Sequence, residues 1–132
     1  MKMHASGSFE MKNWDEKPYN EVTGEPKLAR ASVVNVYHGD IEGEGALEYL
    51  LCYSNDSVAY FTGYERVTGR IGDRSGSFVL QHGGTFENDT AKATLSVVPG
   101  SGTGDLQGLH GEGGYIASHT QPTSVTLDYE IV

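Results

Sequence analysis

Glu65 and His82 each stand two residues from an apolar side chain, Val67 and Leu80 respectively. In a strand, residues two apart share a face, so both polar groups travel with the apolar set. Glu44 and Glu48 share the parity of Leu50 and Cys52. Glu112 joins them if a hairpin turning at about Thr120-Gln121 sets Gly114 against Leu127 and Glu112 against Tyr129. Carboxylates gathered inside an apolar space cannot all ionise cheaply, and such groups suit general acid or base work. A polar patch in an apolar pocket also orients a bound molecule. Glu48, Glu65 and His82 are therefore the candidate catalytic residues. The candidate ligand-binding lining is Glu44, Glu48, Phe61, Glu65, Phe78, Leu80, His82 and Glu112. A hydrated plug of satisfied polar groups, common in small barrels, would use the same residue types.

Other chemistries find less support. The five histidines (His4, His38, His82, His110 and His119) have no paired spacing. His82 with two glutamates is the one mixed ligand set a metal would accept, and no metal or cofactor is expected. Asp40, Glu42 and Glu44 read as a charged turn. Gly102-Thr103-Gly104-Asp105 is one copy of a pattern that binds calcium only in repeats. A dinucleotide fingerprint needs a helix after its glycines, whereas Gly108 to Gly114 leads into another strand, and no P-loop lysine follows. Cys52, expected inward between Leu50 and Ala59, reads as an inert buried thiol.

The elements that must position these groups are strands. Candidate strands run from about Ala5 to Lys12, Arg30 to His38, Gly45 to Tyr53 and Val58 to Thr68. Four more run from about Gly76 to Phe86, Thr90 to Val98, Gly111 to Ala117 and Ser124 to Ile131. Turn residues separate them at near-regular intervals, the mark of an antiparallel meander. Eight such strands close a barrel and remove the exposed edges. The fold class is thus all-β, a closed eight-stranded antiparallel barrel, in one domain spanning residues 1–132. Asn13 to Lys27 reads as a long first loop, Pro99 to Asp105 as a glycine-rich excursion, and His119 to Thr123 as a short turn. A helical turn near Asp105 to Leu109 is the only helix expected.

Hairpin registers then assign faces. A turn at Ser54-Asn55-Asp56-Ser57 sets Cys52 against Ala59, Leu50 against Phe61 and Glu48 against Gly63. A turn at Asp73 sets Val67 against Phe78, Glu65 against Leu80 and Gly63 against His82. A turn at Asn88-Asp89 sets Phe86 against Ala91, His82 against Leu95 and Leu80 against Val97. The inner face so built is Leu50, Cys52, Phe61, Val67, Phe78, Leu80, Phe86, Leu95 and Val97. Tyr49, Leu51, Tyr53, Tyr60 and Tyr64 take the opposite parity, an outer aromatic patch that a second subunit would cover.

Composition bounds the partners. A net charge of −9 repels phosphate backbones and anionic membranes, so neither nucleic acid nor membrane is expected. No stretch reaches the roughly 18 apolar residues of a bilayer span. Met1-Lys2-Met3-His4-Ala5 lacks the apolar core of a signal peptide. With Cys52 the only cysteine, a reducing cytoplasm is the expected compartment. The 18 glycines suit bent strands and tight turns rather than helix.

Several phrases carry a family likeness: Trp14-Asp15-Glu16-Lys17-Pro18-Tyr19, Lys27-Leu28-Ala29-Arg30-Ala31-Ser32, Gly39-Asp40-Ile41-Glu42-Gly43-Glu44-Gly45, Gly76-Ser77-Phe78-Val79-Leu80-Gln81-His82, and the run from Pro99 through Gly113. Over nearly its full length the chain resembles a bacterial family of unknown function with an allene oxide cyclase-like barrel. The last run is also similar to the Gly-Thr-Gly segment of plant allene oxide cyclases and dirigent proteins. The resemblance implies a barrel with an axial cavity, often assembled into oligomers, and assigns no activity. Three readings follow. The first is a barrel binding a small apolar molecule, as a homo-oligomer (dimer or trimer). The second is an isomerase or cyclase acting on a hydrophobic substrate, and the third a structural protein with a filled barrel.

Overall fold

The computed structural model describes residues 2–118 and 122–132. Its strands are β1 (Met3–Asn20), β2 (Lys27–Gly39), β3 (Ile41–Tyr53), β4 (Val58–Ile71), β5 (Arg74–Glu87), β6 (Thr90–Val97), β7 (Leu109–Ala117) and β8 (Thr123–Ile131). Each pairs antiparallel with its neighbour, and β1 closes on β8, giving the expected closed barrel. The only helix among the described residues is a single 3-10 turn, Gly104–Leu106. None is long and apolar enough to cross a membrane.

Two hairpins have the expected register. Val67 faces Phe78 and Gly63 faces His82 between β4 and β5, and Leu80 faces Val97 and His82 faces Leu95 between β5 and β6. Two others are displaced by one residue. Between β3 and β4, Tyr53 pairs with Ala59, Leu51 with Phe61 and Tyr49 with Gly63. The side chain of Asn55 explains the shift: its Oδ1 accepts the backbone N–H groups of Ser57 (2.7 Å) and Val58 (3.0 Å), lengthening the connection by one residue. A one-residue shift turns the whole strand over. Tyr49 and Leu51 therefore face inward, while Glu44, Glu48 and Leu50 face solvent and Cys52 lies half-buried on the outer wall. The expected outer aromatic patch is corrected accordingly, with Tyr60 and Tyr64 exposed and Tyr49 in the core. Between β7 and β8, Leu127 faces Gly113 and Glu112 faces Asp128, so Glu112 is outside as well. The turn expected at Thr120-Gln121, with His119, falls outside the described residues.

The first loop is also mostly strand. β1 continues to Asn20 along β2, but it pairs with β8 only from Met3 to Phe9. Beyond Phe9 it is an edge, where Pro18 costs no ladder bond on the open side. Asn13 and Trp14 together oppose Val33, a bulge in which Asn13 takes a φ of 58°. The extra residue changes parity, turning Trp14 inward after Phe9 and Met11.

One end of the barrel is solid. β6 reaches β5 only as far as Leu80, leaving Arg74 to Val79 without a strand on that side. The glycine-rich excursion fills the place: Thr103 N–H donates to Ser77 O (2.9 Å), and Ser101 Oγ accepts from Val79 N–H (3.0 Å). The 3-10 turn then drops Leu106 into the end, where it is fully buried alongside Ile41, Val67, Ile71, Phe78 and Leu109.

Candidate functional site

Midway along the axis the inward positions change from apolar to polar. Gly45 of β3 leaves room there for the Glu65 side chain, which lies so close that a Cβ on Gly45 would sit 1.9 Å from Glu65 Oε2. The Glu65 carboxylate accepts from Asn35 Nδ2 (2.9 Å) and from the Tyr37 hydroxyl (2.7 Å to Oε1). His82 Nε2 lies 2.7 Å from Glu65 Oε1, and the two side chains are 1% and 0% exposed. Because a carboxylate only accepts, a ring hydrogen is assigned to Nε2. His82 Nδ1 lies 3.4 Å from the Tyr49 hydroxyl, a long contact, and Tyr49 in turn lies 2.8 Å from the Tyr115 hydroxyl. Tyr49 and His82 meet edge to face at 5.6 Å across Gly63.

The phenols are held neutral. Burial pushes Tyr37 well above the ordinary tyrosine range, and the Glu65 charge adds to it. Burial likewise raises Tyr49, with the neighbouring Tyr115 adding. Tyr115 is pushed up to about 12, again by burial first, with the hydrogen bond to Tyr49 opposing and the Glu65 charge assisting.

Above this layer the barrel is not filled. A cavity of about 270 Å³ occupies the end opposite Leu106. Its walls include Leu51, Ala59, Phe61, Phe86 and Ala117, and Tyr49 and Tyr115 form its inner end against the polar network. Met11 and Trp14 stand at its mouth, with the Trp14 ring 5.9 Å from that of Tyr49. Glu16 fixes the mouth by accepting from Trp14 Nε1 (3.1 Å) and from the Tyr53 hydroxyl (2.5 Å). Thr123 lines the same cavity, and its buried Oγ1 has no partner among the described residues. A broader, more open depression on the outer wall lies over Gly83, Thr94 and Gly114, with Lys92 and Ile116 beside it.

Of the residues singled out in the sequence, Glu65 and His82 come together, with Phe61 on the cavity wall and Phe78 and Leu80 below them in the solid end. Glu44, Glu48 and Glu112 do not join them. Glu48 pairs instead with Arg30 on the outer wall (2.7 Å), and hydrogen bonds from Ser32 and Arg30 lower its carboxyl below the usual range. Asn35, Tyr37, Tyr49, Tyr115, Thr123 and Trp14 were not anticipated as site residues. The outward parity of Glu42, Glu44 and Glu48 was the signal for Tyr49, since three acids on one parity mark a solvent face. Among the described residues no three His, Cys, Asp or Glu side chains are placed to hold a metal ion.

Residues 5–129 match a family model described as "Protein of unknown function (DUF3224)". Among solved structures, the chain is similar to a protein of unknown function from the DUF3224 family of Shewanella oneidensis MR-1. The two are 26% identical with a TM-score of 0.82, over 100% of this chain and 99% of the other. No curated protein matches the chain.

Proposed function

This chain belongs to the DUF3224 family of proteins of unknown function, and from that premise we propose that its barrel binds one small apolar molecule in the cavity at its open end. The single observation that carries this reading is an apolar cavity of about 270 Å³ ending on polar groups. At about 30 Å³ of liquid per water, that space equals about nine waters held against mostly apolar walls. A filled structural barrel has no use for it. The volume lies just under the roughly 300–1,000 Å³ of drug-sized pockets, which suits one ring or a short chain. Saturable quenching of Trp14 fluorescence by small cyclic compounds, lost when Ala59→Phe fills the cavity, is the expected result. A folded protein that binds none of them would overturn the proposal.

A second reading, an isomerase or cyclase of the allene oxide cyclase type, draws on the buried Glu65–His82 pair in line with two phenols. Glu65→Gln and His82→Gln separate the two readings. A catalyst loses turnover while keeping affinity; a binder loses affinity.

A further inference from the structure

We infer that the apolar occupant carries one uncharged polar group, held on the β8 side of the cavity by the Thr123 hydroxyl. This rests on the binding reading above and names the chemistry of the same cavity. Two buried side-chain atoms lack a hydrogen-bond partner among the described residues, Asn35 Oδ1 and Thr123 Oγ1. Asn35 belongs to the network beneath the cavity, whereas Thr123 lines the cavity itself. The other polar side chains of the wall are engaged. Tyr49 and Tyr115 bond to each other, Tyr53 bonds to Glu16, and Ser118 has a partner of its own. Among the described residues, Thr123 is thus the wall group whose hydrogen bond must come from whatever fills the space. A buried hydroxyl left unbonded costs free energy. Water in the cavity would satisfy it, and a molecule that displaces water loses affinity unless it restores the bond. Because a hydroxyl both donates and accepts, an alcohol and a ketone meet the requirement alike.

The strand order sets where that group lies. Thr123 pairs with Phe9 of β1, and it stands two residues nearer the mouth than Val125, which pairs with Tyr115. Two residues of strand span about 7 Å, so the polar group sits on the side wall, above the Tyr49–Tyr115 floor. In the closed ring of eight strands β4 is four strands away from β8, and it carries Phe61 on the far wall, with Leu51 of β3 beside it. An occupant seated here is two-sided, its apolar body against Phe61 and Leu51 and its polar group toward Thr123. No charged side chain among the described residues lines the cavity. An ionised group of either sign would shed its water there without a counter-charge.

The test is calorimetric titration of the wild type, Thr123→Val and Thr123→Ser with benzyl alcohol, acetophenone, toluene and benzoate. Valine keeps the shape of threonine and removes the hydroxyl, whereas serine keeps the hydroxyl. Thr123→Val should weaken benzyl alcohol and acetophenone about tenfold relative to toluene, the worth of one hydrogen bond. Thr123→Ser should keep the wild-type ratios, and benzoate should bind none of the three proteins. Thr123→Val should also melt no lower than the wild type, because no bond within the chain is lost. A lower melting temperature would show the hydroxyl already bonded in the empty barrel and overturn the assignment. Unchanged ratios in Thr123→Val, or binding of benzoate, overturn it too and leave the cavity a binding site. Failure of all four compounds to bind the folded wild type overturns the binding reading itself.

Discussion

The two ends of this barrel are built from the same strands and come out opposite. At one end a short β6 leaves a gap that the glycine-rich excursion fills, and Leu106 completes a solid apolar plug. At the other, β1 runs on past its β8 partner, and its bulge holds Trp14 across the mouth rather than down the axis. The interior there stays open. The Glu65–His82 network marks the boundary, buried polar groups bonded to one another where packing stops. A gap in strand pairing thus closes one end, and an overhang leaves the other available.

The boundary layer should dominate the response to alkali. An unfolded tyrosine ionises near pH 10, whereas Tyr37, Tyr49 and Tyr115 stay protonated above it, Tyr115 up to about 12. Between those values the unfolded chain binds fewer protons than the native one. Stability is therefore whole below about pH 10 and falls as pH rises, by about 1.4 kcal/mol per pH unit for each phenol and about 4 for the three. Circular dichroism should show cooperative unfolding in this window. Tyr115→Phe should flatten the slope by about a third, and an unchanged slope would place that phenol in contact with water.

Matched truncations come next. Phe78 lies in the plug and Phe61 on the cavity wall. Phe78→Ala should cost about 3–5 kcal/mol, because it opens a void in a filled region. Phe61→Ala should cost only about 2, since one side of that ring already faces empty space. Denaturant titration gives both values. Equal costs would mean that the open end collapses in solution.

The same contrast explains what the sequence disclosed. In β4, β5 and β6 the inward positions Val67, Phe78, Leu80, Leu95 and Val97 alternate with Arg66, Gln81, Thr94 and Ser96, and one parity is plainly apolar. Those strands build the solid end, and their register was legible. β3 carries apolar residues on both parities from Tyr49 to Cys52, so its face hung on the turn, and Asn55 added a residue by bonding two backbone N–H groups. β7 offers Gly111 and Gly113 at inward positions, which give no hydrophobic signal. Both ambiguous strands line the cavity, where Tyr49 and Tyr115 combine an apolar ring with a polar tip. The open end was hidden because a site that must hold something else has the weakest alternation.

Enlarging side chains reverses the truncation test. Gly45→Ala forces a Cβ against the pinned Glu65 carboxylate and should cost about 1–3 kcal/mol. Ala59→Leu on the cavity wall should cost less than about 1, because the added atoms enter free space. Thermal denaturation of the two variants beside the wild type reads the difference, and a heavier penalty at Ala59 would contradict an open interior.

The smallest effect belongs to the mouth. Trp14 is 47% exposed, rests on Tyr49 and gives its indole N–H to Glu16. Little of its area leaves water, so Trp14→Ala should change stability by about 0.5 kcal/mol or less. Its weight should fall on exchange instead. A ring across the entrance slows escape more than it deepens the cavity, so the variant should release a bound small cyclic compound faster, with entry quickened in nearly the same proportion. Stopped-flow displacement resolves the two rates. A large loss of stability with unchanged exchange would make Trp14 part of the core, and the bulge at Asn13 a packing device rather than the hinge of an entrance.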